Sequence, residues 1–231
     1  MIAVTFDVGQ TLLDLDHDLL ARQIAKHGVE IDPRRSAAVE AAGWAADAAA
    51  RRSGASGAEA WSAFMTALLE QCGVPRHGVP ALVRWLYDQQ PTCNLWRRPA
   101  PGMIDLAGDL ARAGVPVGIV SNSEGRVAEL LADAGVLVPF RVVADSGLLG
   151  FEKPDPRIFE HAARALGVPA TSLVHVGDSW EGDVLGALGV GARALWLTAK
   201  APPSDLPDGV RVVRDAGETR AALRGWSVAG A

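Results

Sequence analysis

Ile2-Ala3-Val4-Thr5-Phe6-Asp7-Val8-Gly9-Gln10-Thr11-Leu12 opens the chain with a β-branched and aromatic run that stops at a carboxylate. Ile2–Phe6 reads as a buried strand with polar residues at its C-terminal end. Thr11 to Asp18 reads as a turn or short hairpin. The texture then changes, and from about Leu15 to Leu95 no run is strand-like. Apolar residues recur instead at helical spacing over 18–27, 36–52, 57–71 and 79–89. The breaks between these stretches carry turn residues: Gly28 with Asp32-Pro33, Ser53-Gly54, and Gly73-Val74-Pro75. This spacing predicts a small all-helical module.

After Pro99 and Pro101 the texture changes back. Helices are predicted over 102–113, 124–134, 156–166, 181–188 and near 217–224, most of them stopped by a glycine. Short β-branched runs alternate with them: 116–120, 141–144, 173–176, 192–197 and a further short strand at 210–213, with 200–208 as a loop. Strands alternating with amphipathic helices imply parallel βα units. The predicted fold is α/β, a Rossmann-like parallel sheet core with helices on both faces plus a small all-helical cap domain. The core takes 1–14 and 96–231, and the cap takes 15–95. Open parallel sheets bind ligands beyond the carboxyl ends of their strands. An insert rooted at the end of the first strand is therefore expected to cap such a site.

Composition narrows the function. The chain has 231 residues, 49% apolar and 21% charged, as in a folded globular protein. Its net charge of −5 gives no general attraction for nucleic acid or an anionic membrane. Two cysteines, Cys72 and Cys93, make no disulfide framework, and no Cys/His spacing reads as a zinc site. The opening residues have no basic n-region or long apolar core, and the alanine-rich stretch 41–50 falls far short of the roughly 20 apolar residues of a membrane span. A soluble, cytoplasmic protein is expected, with no membrane or nucleic-acid partner.

Polar residues close three strands: Asp7 the first, Ser121 the second, Asp178 a later one. Lys153 precedes another helix, and Asp183 lies five residues beyond Asp178. Carboxylates, a hydroxyl and a lysine around one crevice suit a phosphate ester with a divalent ion. Mg²⁺ prefers hard oxygen ligands. The lysine and hydroxyl can neutralise and orient phosphoryl oxygens, and a carboxylate can attack phosphorus to form an acyl phosphate.

On these residues the chain resembles the haloacid dehalogenase (HAD) superfamily, phosphatase-like subgroup, over nearly all of the core. Phe6-Asp7-Val8-Gly9-Gln10-Thr11-Leu12 resembles its first motif, Val120-Ser121-Asn122 the second, Lys153-Pro154-Asp155-Pro156 the third, and Gly177-Asp178-Ser179 through Asp183 the fourth. The helical insert falls where that superfamily places its smaller cap. The resemblance implies Asp7 as nucleophile, with Ser121 and Lys153 as its catalytic partners. It implies Thr11, Ser121, Asn122 and Lys153 as substrate-binding positions, and Asp7, the Gly9 carbonyl, Asp178 and Asp183 around Mg²⁺. Asp183 has two further readings, a water-mediated one and a salt bridge to Lys153.

One position departs from the pattern. Most HAD phosphatases carry a second Asp two residues after the nucleophile, as general acid and base. Gly9 stands there, and Gln10 replaces the usual Gly. The resemblance thus implies a Mg²⁺-dependent phosphohydrolase on a small phosphorylated metabolite, with two alternatives. One is a phosphoryl-ligand binding protein with little turnover. The other is a metal-independent 2-haloacid dehalogenase, which also lacks that Asp but carries Ser-Ser-Asn where this chain has Gly-Asp-Ser. Plainer readings are assigned elsewhere. Arg51-Arg52 is a solvated helix-end pair, Trp44, Trp61 and Trp85 are cap core, and His175 is buried strand structure. Trp96, Arg97 and Arg98 sit at the second hinge.

Overall fold

The computed structural model describes residues 1–136, 138–199 and 204–231. They divide into two compact units, Met1–Leu15 with Trp96–Ala231, and Asp16–Leu95. The predicted loop at 200–208 lies, over 200–203, outside the described residues.

In chain order, β1 (Ala3–Phe6) is followed by the short β2 (Leu13–Leu15). The helical unit then runs α1 (His17–Ala25), α2 (Pro33–Arg52), α3 (Gly57–Gln71) and α4 (Val79–Gln89). Each of the first three starts where a side chain takes an orphan backbone N–H: Asp16 for α1, Asp32 for α2, and a Ser56/Glu59 capping box for α3. Its apolar core includes Leu20, Ile24, Phe64, Leu68 and Leu86. Gly43 lets α2 approach α3 closely, since a methyl there would lie 2.8 Å from the Phe64 ring. Trp44 packs on Phe64, Trp61 on Tyr87 and Trp85 on His27, all within this unit. Arg51 pairs with Asp47 at 2.9 Å.

The chain re-enters the core unit as β3 (Trp96–Pro99), then α5 (Met103–Arg112), β4 (Val117–Ser121), α6 (Val127–Asp133), β5 (Val143–Asp145), the short α7 (Ser146–Leu149) and α8 (Pro156–Leu166). It continues through β6 (Leu173–Gly177), a π-helical turn (Trp180–Leu185), α9 (Gly186–Gly189), β7 (Arg193–Leu197), β8 (Val210–Val213) and α10 (Ala216–Arg224). Six strands form one parallel sheet, ordered β5-β4-β1-β6-β7-β8. Alternate side chains feed two apolar layers. Val4, Phe6, Val174 and Val176 pack with α5 residues such as Leu106, whereas Ala3, Leu173 and Ala194 pack with α8 residues such as Phe159.

Three details differ from the sequence expectation. First, β2 pairs antiparallel with β3, so the supposed hairpin and hinge residues form a small ribbon with Leu13, Leu15 and Trp96 buried. Second, α6 starts at Val127 rather than 124. The Asp145 carboxylate draws the Gly125 and Val127 N–H groups to itself, and Gly125 adopts φ +92°. Third, the expected helix over 181–188 is a π turn followed by α9. The Ser179 carbonyl accepts from both Asp183 and Val184, which widens the turn.

Candidate functional site

The middle strands place three groups at one end of the sheet, and a loop adds a fourth. β1 ends at Phe6, and Asp7 continues it with its N–H on the Val176 carbonyl of β6 at 2.9 Å. Ser121 closes β4 and is buried. Asp178 follows β6 directly. Its carbonyl is held at 2.9 Å by the Trp196 indole N–H from β7. Lys153 arrives from the loop before α8. Asn122 braces it, donating to the Lys153 carbonyl at 3.0 Å and accepting from the Lys153 N–H at 2.7 Å.

The Lys153 ammonium donates to Asp7 Oδ1 at 2.6 Å, to Asp183 Oδ1 at 2.6 Å and to the Val120 carbonyl at 2.9 Å. That uses all three of its hydrogens. Lys153 is one of three lysines among the chain's 22 Lys and Arg residues. A compact ammonium fits a point between two carboxylates that a planar guanidinium would not. Asp183 sits on the π turn, 1% exposed. Its Oδ2 accepts from the Ser179 N–H at 2.9 Å, and Oδ1 also meets His175 Nε2 at 2.9 Å.

The charges are unequally matched. Burial pushes the Asp7 carboxyl up, opposed by the nearby Lys153 ammonium. Burial pushes Asp178 well above the usual carboxylate range, and the charges of Asp183 and Asp7 push it further. Against its own burial, Asp183 is held below that range by Lys153 and His175. Lys153 is held above its ordinary value because Asp183 and Asp7 outweigh burial. Oxygens of Asp7, Asp178 and Asp183 all lie within 4.8 Å of one another. Three close carboxylates against one ammonium leave negative charge uncompensated. A hard-oxygen set of this kind fits a divalent cation such as Mg²⁺.

The model of the haloacid dehalogenase-like hydrolases matches residues 1–191. The chain belongs to this family. It is 26% identical over 208 residues to the haloacid dehalogenase-like hydrolase domain-containing protein 3 of Bos taurus, covering 86% of this chain and 82% of that one. It is 37% identical over 95 residues to a Thermus thermophilus phosphoserine phosphatase, covering 41% of this chain and 38% of the relative. A structure of the putative HAD-hydrolase YfnB from Bacillus subtilis, bound to magnesium, superposes with a TM-score of 0.72 at 20% identity, covering 96% of this chain and 98% of that one. It shares the fold. Among the described residues, no helix is long and apolar enough to cross a membrane.

Within this HAD hydrolase, the predicted site residues fall into distinct groups. Asp7, Lys153, Asp178 and Asp183 cluster. Asn122 has both ends of its amide on the Lys153 backbone. Thr11 is fully buried, and its hydroxyl has no hydrogen-bond partner among the described residues. Gly9 bridges Leu13, and a Cβ there would meet Trp96 at an ordinary 3.7 Å. Gln10 has φ +57°, a conformation that the glycine common at this position adopts freely. Asp145 also ends a strand buried, but its carboxylate is saturated by the N–H groups of Gly125, Val127 and Gly147. His175 is buried strand structure, as the sequence suggests, but its contacts with Thr5 and Asp183 are not read from the sequence. The available signal was a polar residue inside an apolar strand, which needs a partner.

Proposed function

We propose that this HAD hydrolase cleaves a small phosphorylated molecule in a Mg²⁺-dependent reaction through an aspartyl phosphate on Asp7. The observation that carries this reading is the Asp7–Lys153 pair at 2.6 Å beside two further carboxylates. It joins a nucleophile, a phosphate-binding ammonium and a cation set at one strand end. The named activity of the Thermus relative supports a phosphoryl substrate.

Asp7, the Gly9 carbonyl and Asp178 would hold Mg²⁺, with Asp183 beside them. When bound, the ion neutralises carboxylate and phosphoryl charge so that the two can approach. Asp7 attacks phosphorus in line, and the bond to the leaving oxygen breaks. Lys153, exchanging one of its three present acceptors for a phosphoryl oxygen, and the Ser121 hydroxyl hold the phosphoryl group. With Gly9 in the acid/base place, the leaving oxygen takes its proton from water. A second water then attacks the acyl phosphate, releasing phosphate and restoring Asp7. The helical unit, inserted between β2 and β3, is the part assigned to substrate choice.

The test is phosphate release from an activated aryl phosphate and a metabolite panel, with and without Mg²⁺, using Asp7→Asn as control. Release that needs both Mg²⁺ and Asp7 is expected. Metal-independent halide release from a 2-haloacid would instead make it a dehalogenase. The bare Gly9 position favours a second reading, a phosphoryl-ligand binder, which would show ligand-dependent melting without turnover.

A further inference from the structure

His175 stands in the middle of β6, fully buried, between Val174 and Val176. A buried polar ring left unsatisfied would cost about 1–3 kcal/mol, yet here both nitrogens have partners. Nδ1 lies 2.9 Å from Thr5 Oγ1, and Thr5 is the register partner of His175 on β1. Nε2 lies 2.9 Å from Asp183 Oδ1. A carboxylate only accepts, so Nε2 carries a hydrogen, and in the neutral ring Nδ1 accepts from the Thr5 hydroxyl. Phe159 packs edge-on against the ring at 5.1 Å and fixes its plane.

The Asp183 oxygen that His175 reaches is the one that accepts from Lys153. A continuous buried chain therefore runs Thr5–His175–Asp183–Lys153–Asp7. With Ser179 on Oδ2, the Asp183 carboxylate has three donors and one orientation. We infer that His175, anchored by Thr5, is a positioning residue that holds Asp183 against Lys153 and thereby aims the ammonium at the nucleophile and the phosphoryl group. The inference rests on the phosphohydrolase reading of Asp7 and Lys153. It makes Asp183 first a partner of Lys153, and its carboxylate adds to the cation set mainly as charge.

The experiment compares wild type with His175→Asn and His175→Gln. The glutamine amide reaches the Nε2 position and keeps a donor for Asp183, whereas asparagine reaches only the Nδ1 position. Calorimetry reads the affinity for Mg²⁺ alone and for inorganic phosphate in its presence. Kinetics with p-nitrophenyl phosphate read KM and kcat. Losing a group that orients a ligand-binding residue typically costs about tenfold or more. His175→Asn is expected to weaken phosphate binding about tenfold and raise KM in step, with Mg²⁺ affinity within about twofold, while His175→Gln stays within about threefold of wild type. Unchanged phosphate affinity in His175→Asn would overturn the inference. So would equal losses in both variants that follow a lower Tm, or a loss of Mg²⁺ affinity as large as that of phosphate. If His175→Asn does not fold, the near-isosteric Thr5→Val, which removes only the Nδ1 anchor, is read on the same affinities, and an unchanged phosphate affinity there is equally fatal. Wild type that binds Mg²⁺ and phosphate but turns over no ester defeats the hydrolase reading alone, because both affinities are measured without turnover.

Discussion

A methyl group on Gly177 would occupy the space that the Asp183 carboxyl group fills. Gly177 closes β6, and Asp183 folds back over that strand end from the π turn. Gly177 is not among the positive-φ residues, so alanine meets no backbone penalty there. Its cost is the overlap alone. Gly177→Ala should push Asp183 off Lys153 and His175, destabilising the fold by about 2–4 kcal/mol through overpacking and a broken buried ion pair. Phosphate release should fall with it. Denaturant unfolding alongside the phosphate assay checks this, and a variant with wild-type stability and turnover would show that the carboxyl group is not confined by this glycine.

Asp178 is the least compensated carboxylate of the set, raised by burial and by its acidic neighbours. A raised folded pKa means that its charge costs stability at neutral pH. That cost is absent below the unfolded value and grows as pH rises toward the folded one. Added Mg²⁺ should offset it and raise Tm. Asp178→Asn should stabilise the metal-free protein, because it removes a charge that burial and the neighbouring Asp183 and Asp7 disfavour. It should also abolish the Mg²⁺-dependent rise in Tm. Melting with Mg²⁺ and with a chelator tests both, and a destabilised metal-free variant, or one that still responds to Mg²⁺, contradicts the assignment.

Much of this was legible in the chain because the signals are local. Pro156–Leu166 was read to the residue, since Pro156 sits at the first helical position after the Asp155 cap and Gly167 ends the helix. Strands buried on both faces read as unbroken β-branched runs. The β2–β3 ribbon was hidden because Leu13 and Pro99 pair across the whole helical insert, with no hairpin turn to announce them. The π turn depends on the Ser179 carbonyl and on Gly186 packing against Phe159, which only the assembled core defines. At the site, Asp7, Lys153, Asp178 and Asp183 were named from strand ends and motifs. The commitment of the Asn122 amide to the Lys153 backbone, and of His175 to Asp183, needed three-dimensional neighbours.

The helical unit contains a serine, a histidine and a glutamate in a row. His17 Nδ1 lies 2.8 Å from Ser36 Oγ, and Nε2 lies 3.0 Å from Glu40 Oε2. A serine nucleophile is bonded to Nε2, with the carboxylate on Nδ1; here the order is reversed, and Ser36 is fully buried. The trio ties α1 to α2. His17→Leu should destabilise the protein by about 1–3 kcal/mol by stripping partners from Ser36 and Glu40. A fluorophosphonate probe should leave Ser36 unlabelled. Urea unfolding and mass spectrometry report these outcomes, and labelling at Ser36 would reverse the structural reading.

Gly9 can accept a side chain. Its φ is not positive, and a Cβ would sit 3.7 Å from Trp96 in ordinary contact. The glycine is therefore a chemical difference rather than a conformational need. General acid–base help contributes typically about 10²–10⁴ in rate. Gly9→Asp would supply a proton to the leaving oxygen and take one from the hydrolytic water. An alkyl phosphate, whose leaving group is a poor anion, needs the first service far more than an activated aryl phosphate. Turnover of the alkyl ester should thus rise at least about tenfold, and that of the aryl ester by less than about threefold. The ratio of the two gains isolates leaving-group protonation from any general improvement in fold or binding. Equal gains, or none, would mean that Gly9 does not limit this step and that proton delivery comes from elsewhere in the site.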